Sequence, residues 1–232
     1  MQLQLLARGV CDVAATQQSL AYAKKDTKAD GTVFASFFLC DWETLQCREI
    51  PEMAYLRVKF GELGARAADW FGETLTCRAA RLPDGGLAVI GADFLLHLFR
   101  PDGAHASAIP LLYQDAPAYD LICDDDSLWC TVPQRNVLLQ YSLAAREVRL
   151  RVGGSGVFPQ PMGIFRQLDS AFVCCVGSKD VKSFDLARYE VTGFLPFSQA
   201  PKKFFRIFRR HFVWLESGLY AVLAYDKTPT ET

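Results

Sequence analysis

No stretch of this sequence approaches the roughly 18 to 20 consecutive apolar residues that a membrane-spanning helix requires. The first residues, Met1 to Val10, alternate polar and apolar types and lack the basic segment and unbroken apolar core of a secretory signal. A charge excess is also missing: 25 Lys and Arg face 26 Asp and Glu, for a net charge of −1. Nucleic acids and anionic membranes usually select a basic surplus, so neither is expected as a partner. There is no P-loop, dinucleotide fingerprint, GxSxG elbow or HExxH helix. No CxxC pair exists, and His97, His105 and His211 are not at ligand spacing to any cysteine, so no metal site is expected. The sequence names no cofactor. These absences point to a cytoplasmic protein.

What the chain has is apolar mass and a repeat. Half of its residues are hydrophobic and 17 are Phe, enough for a sizeable core without disulfide staples. Cys40, Cys130, Cys174 and Cys175 lie inside apolar runs, where a reduced cysteine packs as a small hydrophobe. From Pro117 to about Gln199 one pattern is written twice, as PAYDLICDDDSLWCTV from Pro117 and as PMGIFRQLDSAFVCCV from Pro161. Leu128 matches Phe172, Cys130 matches Cys174, Val132 matches Val176 and Val148 matches Val191. Matches two apart follow one face of a strand, so these are expected core positions. An aromatic closes the third strand of successive units at Phe99, Tyr141, Phe184 and Tyr225, at spacings of 42, 43 and 41 residues.

A unit of about 40 residues holding four antiparallel strands is a β-propeller blade. The expected fold is therefore all-β, one domain over 1–232, with blades at about 10–60, 76–116, 117–160, 161–200 and 201–227. Five blades are favoured over six, because residues 61–75 break the rhythm with Ala-rich, four-residue spacing that reads as a short helix or an insertion. Trp70 and Phe71 are expected to pack there against the sheets. A strand is expected around Met53 to Phe60. The last unit has no outer strand of its own, and the strand near Gln2 to Ala7 is expected to supply it and close the ring. On this reading, losing residues 1 to 9 costs far more stability than losing 228 to 232.

The phrases VGGSGVFPQPMGI, from Val152, and VKSFDL, from Val181, resemble NHL-type and quinoprotein-like propeller repeats. There a glycine-rich outer turn leads through proline into the next blade, and the third strand ends in aromatic-Asp. The resemblance spans roughly residues 76 to 226; the Trp-Asp and Gly-His dipeptides of WD repeats are absent. It implies a fold and no activity, since propellers host hydrolases, lyases and scaffolds alike.

In a propeller the loops from outer strand to next inner strand share one face with the loops joining second and third strands. Function tends to sit on such loops. The candidate ligand-binding residues are Asp93, Asp120, Arg135, Asn136, Gln160, Lys179 and Asp180. Asp93, Arg135, Lys179 and Asp180 are expected to share that face near the central funnel. Arg135 and Asn136 against Lys179 and Asp180, and Asp120 against Ile164, mark where the two copies disagree. Five-bladed glycosidases place three carboxylates on inner strands; only Asp12 and Asp120 qualify here, and no third follows. Asp124 to Asp126 reads as a solvated turn rather than a calcium loop. The basic, aromatic run Lys202 to His211 would suit single-stranded nucleic acid, but its Phe205, Ile207 and Phe212 fall on blade-core positions.

The leading expectation is a non-catalytic binding module for a peptide, protein or small ligand on the loop face. The alternative is a hydrolase or lyase, glycosidase-like, at the central channel; three or more ionisable side chains converging there would favour it, and an apolar plug would favour the binder.

Overall fold

The computed structural model describes residues 1–16 and 18–224. Expectations that fall on Gln17, on Tyr225 and Asp226, and on residues 227–232 lie outside the described residues.

Five four-stranded antiparallel sheets form the blades of a five-bladed β-propeller. The first contains Val10–Ala15, Leu20–Thr27, Val33–Cys40 and Cys47–Ile50, from inner to outer strand. The second contains Arg78–Arg81, Leu87–Ile90, Leu95–Phe99 and His105–Pro110. The third and fourth follow the duplicated pattern, with inner strands Asp120–Asp124 and Pro161–Gln167 and outer strands Glu147–Gly153 and Val191–Pro196. The fifth begins at Pro201–Ile207, and its outermost strand is Gln2–Ala7 from the start of the chain.

The repeat matches are largely core. Leu128, Cys130, Val132, Phe172 and Cys174 are buried, as are the third-strand aromatics Phe99, Tyr141 and Phe184. Val148 departs from the expectation: it lies on an outer strand and is 40% exposed. Outer strands meet solvent on the rim, so a matched apolar residue there need not be internal. All eight cysteines are free thiols.

The stretch read as a strand around Met53 to Phe60 is instead helix α1, Glu52–Phe60. Ala54, Leu56, Val58 and Phe60 alternate with charged Arg57 and Lys59, which mimics a strand locally. Burial of Tyr55, Leu56 and Phe60 follows helical spacing instead, into the cluster between the first two blades. At the C-terminal end of α1 the Arg57 carbonyl accepts both from the cap Gly61 N–H and from Arg81 Nη2 at 3.2 Å. Helix α2, Gly64–Phe71, follows within the expected insertion. Its Trp70 stacks on His105 at 4.2 Å between ring centroids, and Phe71 meets His97 edge-on at 5.0 Å.

The ring closes through Gln2–Ala7 pairing with Gly218–Ala224. Ala7 is buried, and Leu3 and Leu6 pack against neighbouring core clusters. Gly218 has φ +152° and lies against the Ala7 carbonyl where a Cβ would stand, so the closing strand needs glycine there. Deleting residues 1–7 exposes the edge of the last blade and its core. We expect a loss on the order of 3 kcal/mol or more in urea unfolding, by analogy with large core truncations; an unchanged midpoint would contradict this closure.

Candidate functional site

The inner strands converge on the axis, where they set charged side chains among apolar ones such as Val13, Leu121, Ile164 and Phe205. Asp12 comes from the first blade, Arg78 from the second, Asp120 from the third and Lys203 from the fifth, while Lys59 reaches in from α1. A carboxylate in so dry a place must be matched. Asp12 and Asp120 are 2% and 1% exposed. Asp12 Oδ2 pairs with Lys59 Nζ and accepts the Tyr55 hydroxyl at 2.7 Å, and its Oδ1 accepts from Val13 N at 3.0 Å. Arg78 Nη1 lies 3.5 Å from the same Oδ1, and its Nη2 donates to the Tyr119 hydroxyl at 3.3 Å. Lys59 also donates to the Thr74 carbonyl at 2.6 Å.

Asp120 repeats the device between other blades. Its Oδ2 pairs with Lys203 Nζ of the fifth blade and accepts from Ile164 N of the fourth at 2.8 Å. The inner-strand register breaks between Pro161 and Ile164, and the Ile164 N–H turns across the ring to Asp120. Gly163 is required beside it, because a Cβ there would strike the Lys202 carbonyl of the next inner strand. Thr131 Oγ1 adds a 2.7 Å bond to the Met162 carbonyl.

Burial lowers the Lys59 pKa from its ordinary value, against the pull of Asp12. Burial, followed by Asp12, raises that of Tyr55 well above the usual tyrosine range. Tyr55 therefore acts as a hydrogen-bond donor to Asp12.

These groups enclose a cavity of about 110 Å³ on the axis. Above it, on the loop face, opens a basin of about 620 Å³. Tyr119, Met162, Val176 and Trp214 supply its apolar wall, and Gln134, Gln160, Lys202 and Glu216 its polar groups. Lys202 Nζ stands 5.4 Å from the centroid of the Trp214 ring, a cation–π contact.

Of the residues singled out from sequence, Asp120 lies in the axial cavity and Gln160 in the basin. The others hold turns together. Asn136, with φ +58°, accepts from Gln160 N at 2.8 Å through Oδ1. Arg135 donates twice to the Gln114 carbonyl, at 3.1 and 2.6 Å. Asp180 accepts from Ser178 Oγ at 2.5 Å, and Lys179, with φ +56°, accepts from Phe197 N at 2.8 Å through its carbonyl. Asp93 holds the turn between the second and third strands of the second blade: Oδ1 caps Leu95 N at 3.1 Å and Oδ2 meets His97 Nε2 at 3.0 Å. His97 Nδ1 in turn meets His105 Nε2 at 3.1 Å. Among the described residues no group of three or more His, Cys, Asp or Glu is placed to hold a metal ion.

Sequence reasoning missed Lys59, Arg78 and Lys203 because it looked for a third carboxylate where cations complete the set. Basic residues at inner-strand positions were the signal for Arg78 and Lys203, each in a strand that carries further basic residues. Lys59 carried none, since its segment reads as a strand. In the basic run, Phe204, Phe205, Ile207 and Phe212 are buried, and Arg206 Nε turns back to the Phe208 carbonyl at 3.2 Å.

No protein-family model matches the chain, and no curated protein sequence matches it. Solved structures do. A catalytically inactive virginiamycin B lyase from Staphylococcus aureus with quinupristin is 10% identical, with a TM-score of 0.51 over 95% of this chain and 87% of that one. A structural genomics protein of unknown function from Bacteroides thetaiotaomicron is 11% identical, with a TM-score of 0.55 over 95% and 72%. The WD40 repeats of RRP9 are 12% identical, with a TM-score of 0.51 over 91% and 59%. Identities this low carry the propeller fold alone.

Two outcomes follow from this network. Asp12→Ala leaves the buried Lys59 without its carboxylate and should cost about 3–5 kcal/mol in urea unfolding, and Asp120→Ala, whose Lys203 is half-buried, should cost less; a loss below about 1 kcal/mol for Asp12→Ala would remove the bracing role. Burial, then Arg206, lowers the His211 pKa to about 4. The unfolded chain binds the extra proton between about pH 6.5 and 4, so stability contributed by neutral His211 is full above that window and lost as pH falls through it. His211→Phe should flatten this part of the stability profile, and an unchanged slope would contradict the assignment.

Proposed function

We propose that this propeller is a non-catalytic binding module, and that its ligand, a peptide, protein segment or small molecule, occupies the loop-face basin. The observation that carries this reading is the basin itself. At about 620 Å³ it has the size of a ligand pocket, and it combines an aromatic and aliphatic wall with a few polar groups that can fix orientation. Trp214 and Tyr119 serve as anchors, with Gln160, Lys202 and Glu216 around them. Gln160 is held in place by Asn136, which gives that candidate a positioning role.

The hydrolase or lyase reading has its own support, because five charged side chains converge on the axis. Their pairing argues the other way. Asp12 Oδ2 is committed to Lys59 and Tyr55, and Asp120 Oδ2 to Lys203 and Ile164 N. A general acid or base needs an oxygen within reach of the proton it moves, and these oxygens face structural donors.

A thermal-shift screen of peptides, sugars and nucleotides on the wild-type chain and on Trp214→Ala distinguishes the two. A compound that stabilises the wild type and loses its effect in Trp214→Ala, unchanged after incubation, is the expected result. A compound that is consumed, with turnover abolished by Asp12→Asn, would replace the binder with the enzyme.

A further inference from the structure

The axial cavity carries more positive than negative charge. Three cationic side chains with largely buried bodies, Lys59, Arg78 and Lys203, line it with two carboxylates, Asp12 and Asp120, while the exposed Lys202 lines both it and the basin. Asp12 serves Lys59 and Arg78, and Asp120 serves Lys203. With Lys59 paired to Asp12 as an ion, these largely buried groups leave one positive charge over. Charge of one sign gathered in a confined, partly desolvated space is costly until a counter-charge joins it.

Donor capacity is left over in the same place. An ammonium offers three N–H groups and a guanidinium five. Lys203 Nζ has Asp120 as its hydrogen-bond acceptor among the described residues. Arg78 Nη2 meets a neutral hydroxyl on Tyr119, and Lys202 Nζ lies over the Trp214 ring. Tyr119, Lys202 and Trp214 line both the axial cavity and the basin above it, so the two spaces adjoin.

We infer that the axial cavity is a carboxylate site, taking an acid group carried on an apolar stem that rests against Tyr119 and Trp214, and pairing it with Lys203, Lys202 and Arg78. This rests on the basin being the ligand site. A monoanion matches the surplus, whereas a phosphate dianion would face Asp12 and Asp120 in the same wall. The volume of about 110 Å³ holds several waters or one small planar acid group. The carboxylate can belong to a free organic acid or to a glutamate side chain in a peptide, and the chemistry of capture is shared.

The test is calorimetric titration in carboxylate-free buffer at fixed ionic strength. Hexanoate is compared with hexanamide, and a capped, aromatic-flanked peptide bearing one glutamate is compared with its glutamine counterpart. The acid of at least one pair should bind about tenfold or more tightly than its neutral partner. Lys203→Gln should erase that preference; because it also strips Asp120 of its partner, Lys202→Gln serves as the second variant and should reduce the preference with Asp120 still paired. Preference in the hexanoate pair alone assigns a free acid, and in the peptide pair alone an acidic peptide. Equal affinity for acid and neutral partner overturns the carboxylate site while leaving the basin as a binding site. A preference that survives both variants, or no binding by any of the four probes, also overturns it. The Trp214→Ala screen then judges the basin separately.

Discussion

A carboxylate on the axis that touches three blades at once sets the terms for the rest of this ring. Five wedge-shaped sheets packed around a centre leave a gap where their inner edges converge. Asp120 fills part of it while joining the third blade to the fourth through Ile164 N and to the fifth through Lys203. Asp12 does the same between the first blade, the second and α1. Apolar residues of equal volume could pack such a gap with equal or greater stability, so net free energy is a weak reason for the ions. What the ion pairs provide is direction. Each fixes a donor and an acceptor on different elements of the ring, and a charge-lined cavity stays between them.

Helices α1 and α2 belong to that arrangement. A loop joining the first two blades need only bridge a short distance, yet here it spans two helices and buries Tyr55, Leu56, Phe60 and Ala67. Tyr55 and Lys59 reach Asp12 from the buried side of α1. The insertion is thus part of the channel wall.

The blades were legible because their information is local and repeated. Cys130 and Cys174, or Tyr141 and Phe184, occupy equivalent places in successive sheets, and each place demands the same apolar side chain. The tight turns between strands are written in Gly, Asp and Pro for equally local reasons. The axial site is written once. Asp12 and Lys59 meet across 47 positions, and Asp120 and Lys203 across 83. No spacing rule relates such residues until the ring exists, and each blade contributes a different charge. Asp120 stood out as an inner-strand carboxylate and as a mismatch with Ile164, and the structure connects that very pair, the carboxylate of one to the amide of the other. The segment from Glu52 to Phe60 failed for another reason: five residues with alternating polarity satisfy both a strand and one turn of a helix, and the packing against the first blade decided between them.

The pairing of Gln2–Ala7 with Gly218–Ala224 has a kinetic meaning. Among the described residues every other strand pair joins neighbours in the chain, so four blades can form from local contacts as synthesis proceeds. The last sheet alone requires loop closure over nearly the whole chain. The strand of this ring that is made earliest is therefore the last to find its partner. Until then both ends of an open arc present unpaired edges, which makes this late step the one most exposed to pairing with another molecule.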